Sequence, residues 1–217
     1  MSEPLHTLRG LYAVTDATLQ APEQLVASVS RAIDGGAALV QYRDKSGNSR
    51  LRLRQANTLA DLCRARGVPL IINDDVKLAG ICGAQGVHLG KDDSDPGSAR
   101  SLLGAEAIIG VSCYNDLSLA RQAARLGADY LAFGRFFPSQ TKPGAVQASP
   151  DLIRQAKQEL SLPVAAIGGI TPDNAGQLID AGADMLAVVQ GVFAAADIQN
   201  AAADYSVFFE PLTCNSK

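Results

Sequence analysis

The sequence predicts a single-domain (β/α)8 TIM barrel spanning residues 1–217, with its core from about 11 to 209 and a polar C-terminal tail. Three observations carry that prediction. The first is the stretch Val164-Ala-Ala-Ile-Gly-Gly-Ile-Thr-Pro-Asp-Asn174. Val164 to Ile167 is the short apolar run of a strand buried on both faces. Gly168 and Gly169 stop it, and Thr171 before Pro172 reads as the cap and first position of a helix. The second is Gly182-Ala-Asp-Met-Leu-Ala-Val-Val-Gln-Gly191, which repeats the theme with another apolar strand ending in glycine. The third is a weak internal repeat. Gly35-Gly36-Ala37, Gly83-Ala84, Gly127-Ala128-Asp129 and Gly182-Ala183-Asp184 each stand between a helix and the next strand, where a glycine can end a helix in the left-handed conformation. Joints of this kind fit one alternating α/β sheet better than two domains. A doubly wound open sheet is the alternative, but no GxGxxG follows the first strand.

A strand, a glycine turn and a helix N-terminus together make an anion site, and in a (β/α)8 barrel the loops after strands seven and eight often hold a phosphate. The plainer explanation is that these glycines only let helix and strand pack closely. If residues 164–191 are the last two units, the fold requires six more upstream.

The chain supplies them in order. Leu11–Thr15 is the first strand and Pro22–Ile33 the first amphipathic helix. Strand two, Leu39–Tyr42, precedes a long helix over Ser49–Arg66. Strand three, Leu70–Ile72, precedes a short helix over Val76–Cys82, and strand four is Val87–Leu89. A helix around Ser98–Leu103 leads to strand five, Ile108–Val111. Leu117–Leu126 is helical, strand six is Tyr130–Phe133, and after a long loop a helix capped by Ser149 covers Pro150–Leu160. A final helix begins near Asp197, and the polar tail after Pro211 frays.

Composition narrows the function classes. An apolar share of 47% with only 5% aromatic residues suits a core of small and branched side chains. The formal charge of −3, from 19 Lys plus Arg against 22 Asp plus Glu, is evenly spread, which argues against a nucleic-acid binder with its basic stripe. No stretch approaches the ~20 unbroken apolar residues of a membrane helix, and Met1-Ser-Glu-Pro-Leu-His6 does not read as a signal peptide. Cys63, Cys82, Cys113 and Cys214 form no CxxC pair and read as reduced thiols of a cytoplasmic protein.

In such a barrel the active face is built from the residues just after each strand. After strand two comes Gln41-Tyr-Arg-Asp-Lys45, in which Gln41, Arg43 and Lys45 alternate and so point the same way. After strand three come Asn73, Asp74 and Asp75; after strand four, Gly90-Lys-Asp-Asp93; after strand five, Ser112. After strand six comes Gly134-Arg-Phe-Phe-Pro-Ser-Gln-Thr-Lys-Pro-Gly-Ala145. Any one charged loop residue is most simply a solvated one. Here polar groups gather at every turn of one rim, with cations (Arg43, Lys45, Lys142), carboxylates (Asp74, Asp93) and a glycine cradle. Asp74 and Asp93 would sit at the ends of neighbouring strands about 5 Å apart, close enough to share an ion. Hard oxygen ligands suit Mg²⁺, which takes one or two carboxylates, several waters and phosphate oxygens. Two anion sites, a magnesium-diphosphate and a monophosphate beside strands seven and eight, imply a transferase joining two phosphorylated small molecules.

The series Gln41-Tyr-Arg-Asp-Lys45, Ile72-Asn-Asp-Asp75, Gly86-Val-His-Leu-Gly90 with Asp93, Gly110-Val-Ser112, Gly134-Arg-Phe-Phe-Pro-Ser-Gln-Thr-Lys142 and Ile167-Gly-Gly-Ile-Thr171 resembles the thiamine-phosphate synthase family, from about Leu11 to Phe193. That family joins hydroxymethylpyrimidine diphosphate to a thiazole phosphate, giving thiamine phosphate and pyrophosphate. The resemblance implies that Gln41, Tyr42, Arg43, Asp44, Lys45 and Asn73 hold the pyrimidine diphosphate, with Ser112 and Lys142 also on it. It implies Asp74 and Asp93 as magnesium ligands, and Ser139, Gln140, Thr141, Gly169, Val189 and Gln190 as thiazole-phosphate contacts. The family often has serine where this chain has Gln190. His88 falls inside a matched motif and is expected to be a packed, hydrogen-bonded histidine rather than a catalytic one.

The mechanism this implies is dissociative. A diphosphate leaves a benzylic-type carbon on an electron-rich aminopyrimidine, and the thiazole nitrogen attacks the cation. No Ser-His-Asp or Cys-His arrangement marks a protein nucleophile. Arg43, Lys45, Lys142 and Ser112 are the expected catalytic groups, stabilising charge on the leaving oxygens together with Mg²⁺. The loop Phe137-Pro-Ser-Gln-Thr-Lys-Pro-Gly144 reads as a lid that carries Lys142. Two rivals are a thiazole tautomerase-like relative, which would not need both the diphosphate set and the Asp pair, and a non-catalytic phosphate-sensing barrel. The sequence leaves open whether the chain forms a homo-oligomer and whether its thiazole arrives carboxylated.

Overall fold

Mostly apolar runs of four to seven residues can pair only with one another once helices cover them. In the computed structural model, which describes residues 8–138 and 147–210, they do so as a closed parallel barrel in chain order. Its strands are β1 (Gly10–Val14), β2 (Ala37–Tyr42), β3 (Leu70–Asn73), β4 (Gly86–Leu89), β5 (Ile108–Tyr114), β6 (Tyr130–Gly134), β7 (Val164–Ile167) and β8 (Met185–Val188). The covering helices are α1 (Leu25–Asp34), α2 (Ser49–Arg66), α3 (Val76–Cys82), α4 (Pro96–Leu103), α5 (Leu117–Arg125), α6 (Pro150–Glu159) and α7 (Pro172–Asp180). A one-turn helix α8 (Gln190–Phe193) and a closing helix α9 (Ile198–Ser206) follow β8.

Strand alternation divides the core in two. One set of side chains, including Leu11, Val40, Ile72, Val87, Ile109 and Leu131, meets the helices. The other, including Tyr12, Leu39, Ile71, Tyr130 and Met185, fills the barrel itself. Cys63, Cys82 and Cys113 are free and buried, and burial pushes the Cys63 and Cys113 thiols up to about 12, so they are packing groups.

Several expectations shift. The first helix starts at Leu25 instead of Pro22, because residues 22–24 make a turn and Gln24 supplies no capping bond. Helix α4 begins two residues early, at Pro96, where Asp95 accepts the Ser98 N–H at 3.0 Å. Strand β5 runs on past Val111 to Tyr114 with a register shift between Ser112 and Tyr114, so Ser112 lies within the strand. At the first glycine joint the left-handed residue is Gly36 (φ +94°), whereas Gly35 is small because a Cβ there would strike the Gln199 carbonyl. The one-turn α8 is too short to leave a helical period in the sequence.

The glycine joints have a further reason. After the turn, Asp184 accepts the N–H of Val164 at 2.7 Å and Asp129 that of Ile109 at 2.7 Å, while Gln85 accepts that of Leu70 at 2.8 Å. Each thus satisfies a backbone donor near the start of the preceding strand, at the end of the barrel away from the carboxyl rim.

Candidate active site

Strand β2 ends at Tyr42, so the alternation expected through Lys45 continues only as a loop. Gln41 faces the barrel interior, where its Nε2 donates to the Tyr12 hydroxyl at 2.7 Å. Tyr42 turns to the helix layer and donates to Gln55 Oε1 at 2.8 Å, with Asp44 Oδ2 at 3.3 Å; burial, then the Asp44 charge, raises its pKa. The structure therefore separates Tyr42 from the interior groups of the rim. Asp44 is occupied locally, its Oδ1 accepting the Ser46 N–H at 2.7 Å.

Arg43 is fixed from β1. Its Nη1 lies 3.3 Å from Asp16 Oδ2, and its backbone N–H donates to Thr15 Oγ1 at 2.9 Å. Asp16 is buried and accepts the Thr18 N–H and hydroxyl on its other oxygen. It was not among the expected site residues, although its position just after the first strand is the signal that marks such a group. Asp16 thus holds the Arg43 guanidinium at the rim through a charge-assisted contact, while Thr15 fixes the Arg43 backbone.

Asp74 adopts φ +65°, uncommon for a residue with a Cβ, and its N–H donates to the His88 carbonyl at 2.8 Å. That backbone turns its carboxylate toward Lys45, whose Nζ lies 3.0 Å from Oδ2. Asp93 Oδ2 accepts the Gly90 N–H at 2.7 Å. The Asp93 carboxyl is held above its usual range, chiefly by desolvation and further by the adjacent Asp74 carboxylate. Two carboxylates side by side, with Lys45 paired to one of them, form a hard-oxygen donor set with unneutralised charge, which fits a divalent cation. Asn73 closes β3 opposite His88, and Asp75 caps α3 at Leu78 N–H (2.9 Å) while pairing with Arg52 at 3.0 Å. Asp44, Lys45, Arg52, Asn73, Asp74 and Asp75 help line a cavity of about 550 Å³, within the range of small-molecule sites.

Ser112 Oγ lies 2.8 Å from His88 Nε2, and His88 Nδ1 lies 2.9 Å from the Tyr130 hydroxyl. His88 is packed and doubly hydrogen-bonded, as expected, with its pKa lowered to about 4 by burial.

Across the barrel, Gly168 and Gly169 hold φ at +105° and +67°. A Cβ on Gly169 would lie 2.5 Å from the Pro138 carbonyl and one on Gly168 2.8 Å from the Arg135 Cα, so both glycines admit the chain leaving β6. The Thr171 N–H is taken by Asn174 Oδ1 at 2.9 Å, and Asn174 Nδ2 reaches the Gly169 carbonyl at 3.1 Å. This leaves α8, entered through Val189 and beginning at Gln190, as the adjacent helix start on that side. Ser139, Gln140, Thr141 and Lys142 lie outside the described residues.

Fold and rim define the class: a (β/α)8 barrel whose carboxyl face collects fixed cations, an acidic pair and glycine turns. Within that class, the sequence model of thiamine monophosphate synthase matches residues 11–192. Similar chains include the thiamine-phosphate synthase of Nitrosococcus oceani, 53% identical over 94% of this chain and 94% of that one. That of Azoarcus sp. is 55% identical over 93% and 98%. The solved thiamine phosphate pyrophosphorylase from Pyrococcus furiosus is 32% identical with a TM-score of 0.84, covering 94% of this chain and 96% of its own. The chain belongs to the thiamine-phosphate synthase family.

Proposed function

We propose that this barrel condenses 4-amino-2-methyl-5-(diphosphooxymethyl)pyrimidine with 4-methyl-5-(2-phosphooxyethyl)thiazole, or its carboxylated form, to give thiamine phosphate and pyrophosphate by Mg²⁺-assisted dissociative substitution. Family membership supports the overall reaction. The observation that carries the mechanistic reading is the meeting of Lys45, Asp74 and Asp93 on one rim.

Asp74 and Asp93 would hold the Mg²⁺, which when bound supplies Lewis-acid stabilisation of the diphosphate leaving group. Arg43, oriented by Asp16, and Lys45 stabilise the same developing charge from fixed positions. Gln41 and Asn73 face the pyrimidine end, with Tyr42 and Asp44 supporting the β2 loop, and Ser112 donates to the departing oxygens. Gly169, Val189 and Gln190 take the thiazole phosphate beside α8. Ser139, Gln140, Thr141 and Lys142 complete the set on the sequence resemblance alone. The chain's own contribution is to hold two rings at attacking distance and to aim charge at the leaving group. It acts in the cytoplasm on two phosphorylated small molecules. Among the described residues no helix is long and apolar enough to cross a membrane.

The test is to mix both phosphorylated halves with protein and Mg²⁺ and measure pyrophosphate and thiamine phosphate in equal amounts. Release of neither sinks the reading. Asp93→Asn, which keeps shape but weakens a hard-ion ligand, should lower activity at limiting Mg²⁺ by at least about tenfold. Turnover at the wild-type level under those conditions removes Asp93 from the metal site.

A further inference from the structure

A row of side chains crosses the barrel interior from one side of the rim to the other. Gln41 Nε2 lies 2.7 Å from the Tyr12 hydroxyl, which lies 2.7 Å from that of Tyr130. Tyr130 lies 2.9 Å from His88 Nδ1, and His88 Nε2 lies 2.8 Å from Ser112 Oγ. Five strands contribute one group each: β2, β1, β6, β4 and β5. The tyrosines pack edge to face with centroids 5.9 Å apart, and His88 stacks on Tyr130 at 5.6 Å. Gly110 makes the arrangement possible, since a Cβ there would overlap the Tyr130 ring.

The donor inventory gives this row a direction. An amide nitrogen only donates, so Tyr12 accepts from Gln41 and its own proton goes to Tyr130. Tyr130 then donates to His88 Nδ1. A neutral imidazole that accepts at Nδ1 carries its proton on Nε2, so Nε2–H donates to Ser112 Oγ. The opposite order would leave the Tyr12 proton without an acceptor in the buried interior. With both ring nitrogens engaged in an enclosed site, the row sets the tautomer of His88.

We propose that this buried row is a one-way hydrogen-bond relay in which His88 is a positioning residue, fixing the Ser112 hydroxyl as a donor toward the leaving group. Ser112 receives its hydrogen bond from within the barrel, so its proton is free for a substrate oxygen at the rim. The relay also joins the two ends of one substrate. A pyrimidine amino group donating to Gln41 Oε1 holds the amide with Nε2 toward Tyr12, the orientation that sends every proton toward Ser112. A substrate lacking that amino group loses this constraint. The assignment of the ends rests on the condensation reading above; the tautomer of His88 does not.

The first test is therefore independent of activity. The chain has two histidines, so the ¹⁵N shifts and couplings of the wild-type protein at neutral pH identify the His88 tautomer. A protonated Nε2 with unprotonated Nδ1 is expected, and a protonated Nδ1 overturns the relay whatever the protein's reaction. The second test is kinetic. Ser112→Ala and His88→Phe should each lower kcat by about 10²-fold, the scale of one lost donor to a developing anion, with KM for the diphosphate nearly unchanged. The double variant should lose no more than either single one, because His88 acts through Ser112. His88→Gln, whose amide can still donate to Ser112, should recover part of kcat. Multiplicative losses in the double variant, or no recovery in a folded His88→Gln protein, reduce His88 to a packing residue. If the wild-type protein releases no pyrophosphate, the condensation reading fails while the tautomer measurement still decides the relay.

Discussion

His88 shows how one buried side chain carries both an orientation and a stability cost. With both ring nitrogens bonded and the ring enclosed, the folded protein refuses a proton until about pH 4, although the carboxylate of Asp74 partly offsets the desolvation. The unfolded chain takes that proton near pH 6.5. Since the folded pKa is depressed, the unfolded state binds more protons between those values, and stability falls as pH drops through that window. His88 therefore contributes fully above about pH 6.5 and loses its contribution progressively toward pH 4. Between pH 7 and 4.5 the wild-type protein should lose roughly 2 kcal/mol more unfolding free energy than His88→Gln, as read from urea midpoints with unchanged slope. Parallel pH dependences in the two proteins would show that His88 is hydrated and free to titrate. The same neutral imidazole predicts that no histidine ionisation above pH 5 appears in the kcat profile.

At the scale of elements, the glycine joints combine two functions that a propensity argument treats separately. Gly182 (φ +102°) turns the chain out of α7, and Asp184 two residues later both closes the Val164 N–H and pairs with Lys157 at 2.8 Å. Gly127 and Asp129 repeat this with Ile109 and with Arg100 at 2.7 Å. Each carboxylate thus replaces a strand partner that the barrel's stagger leaves out. Asp184→Ala strips that acceptor from a part-buried backbone donor and should cost about 1–3 kcal/mol. Because the joint lies at the end of the barrel opposite the rim, kcat and both KM values should hold below the melting range. A drop in kcat in fully folded Asp184→Ala protein would mean that the two ends of the barrel are coupled. The glycine and alanine of this joint are legible in sequence because helix termination is a local rule. The aspartate's task is not, since its partner lies 20 residues back and is set by strand register.

The same distinction runs through the whole molecule. Rim residues such as Lys45, Asp74 and Asp93 can be read from the chain because a (β/α)8 barrel sends the end of every strand to one face. Tyr12 and Tyr130, which are 118 positions apart, meet only because the barrel closes, and no periodicity reports that contact. Closure also joins the last helix to the site. Tyr205 of α9 reaches between the loops after β7 and β8 and donates to the Ile170 carbonyl at 3.1 Å. Its hydroxyl occupies the space that a side chain on Gly191 would need, so the glycine of α8 serves the tyrosine. Gly191→Ala should then push Tyr205 aside, costing about 1–3 kcal/mol as an overpacked site. It should also raise KM for the thiazole phosphate while leaving KM for the pyrimidine diphosphate alone, because α8 flanks only the proposed monophosphate side. Tyr205→Phe alone loses a single hydrogen bond, about 1 kcal/mol. In the double variant the removed hydroxyl makes room for the new methyl group, so its thermal midpoint should lie above that of Gly191→Ala. The cycle is read from melting curves and initial rates on the four proteins. Strictly additive losses would show that Gly191 and Tyr205 act separately, and that α9 closes the barrel without shaping the phosphate side.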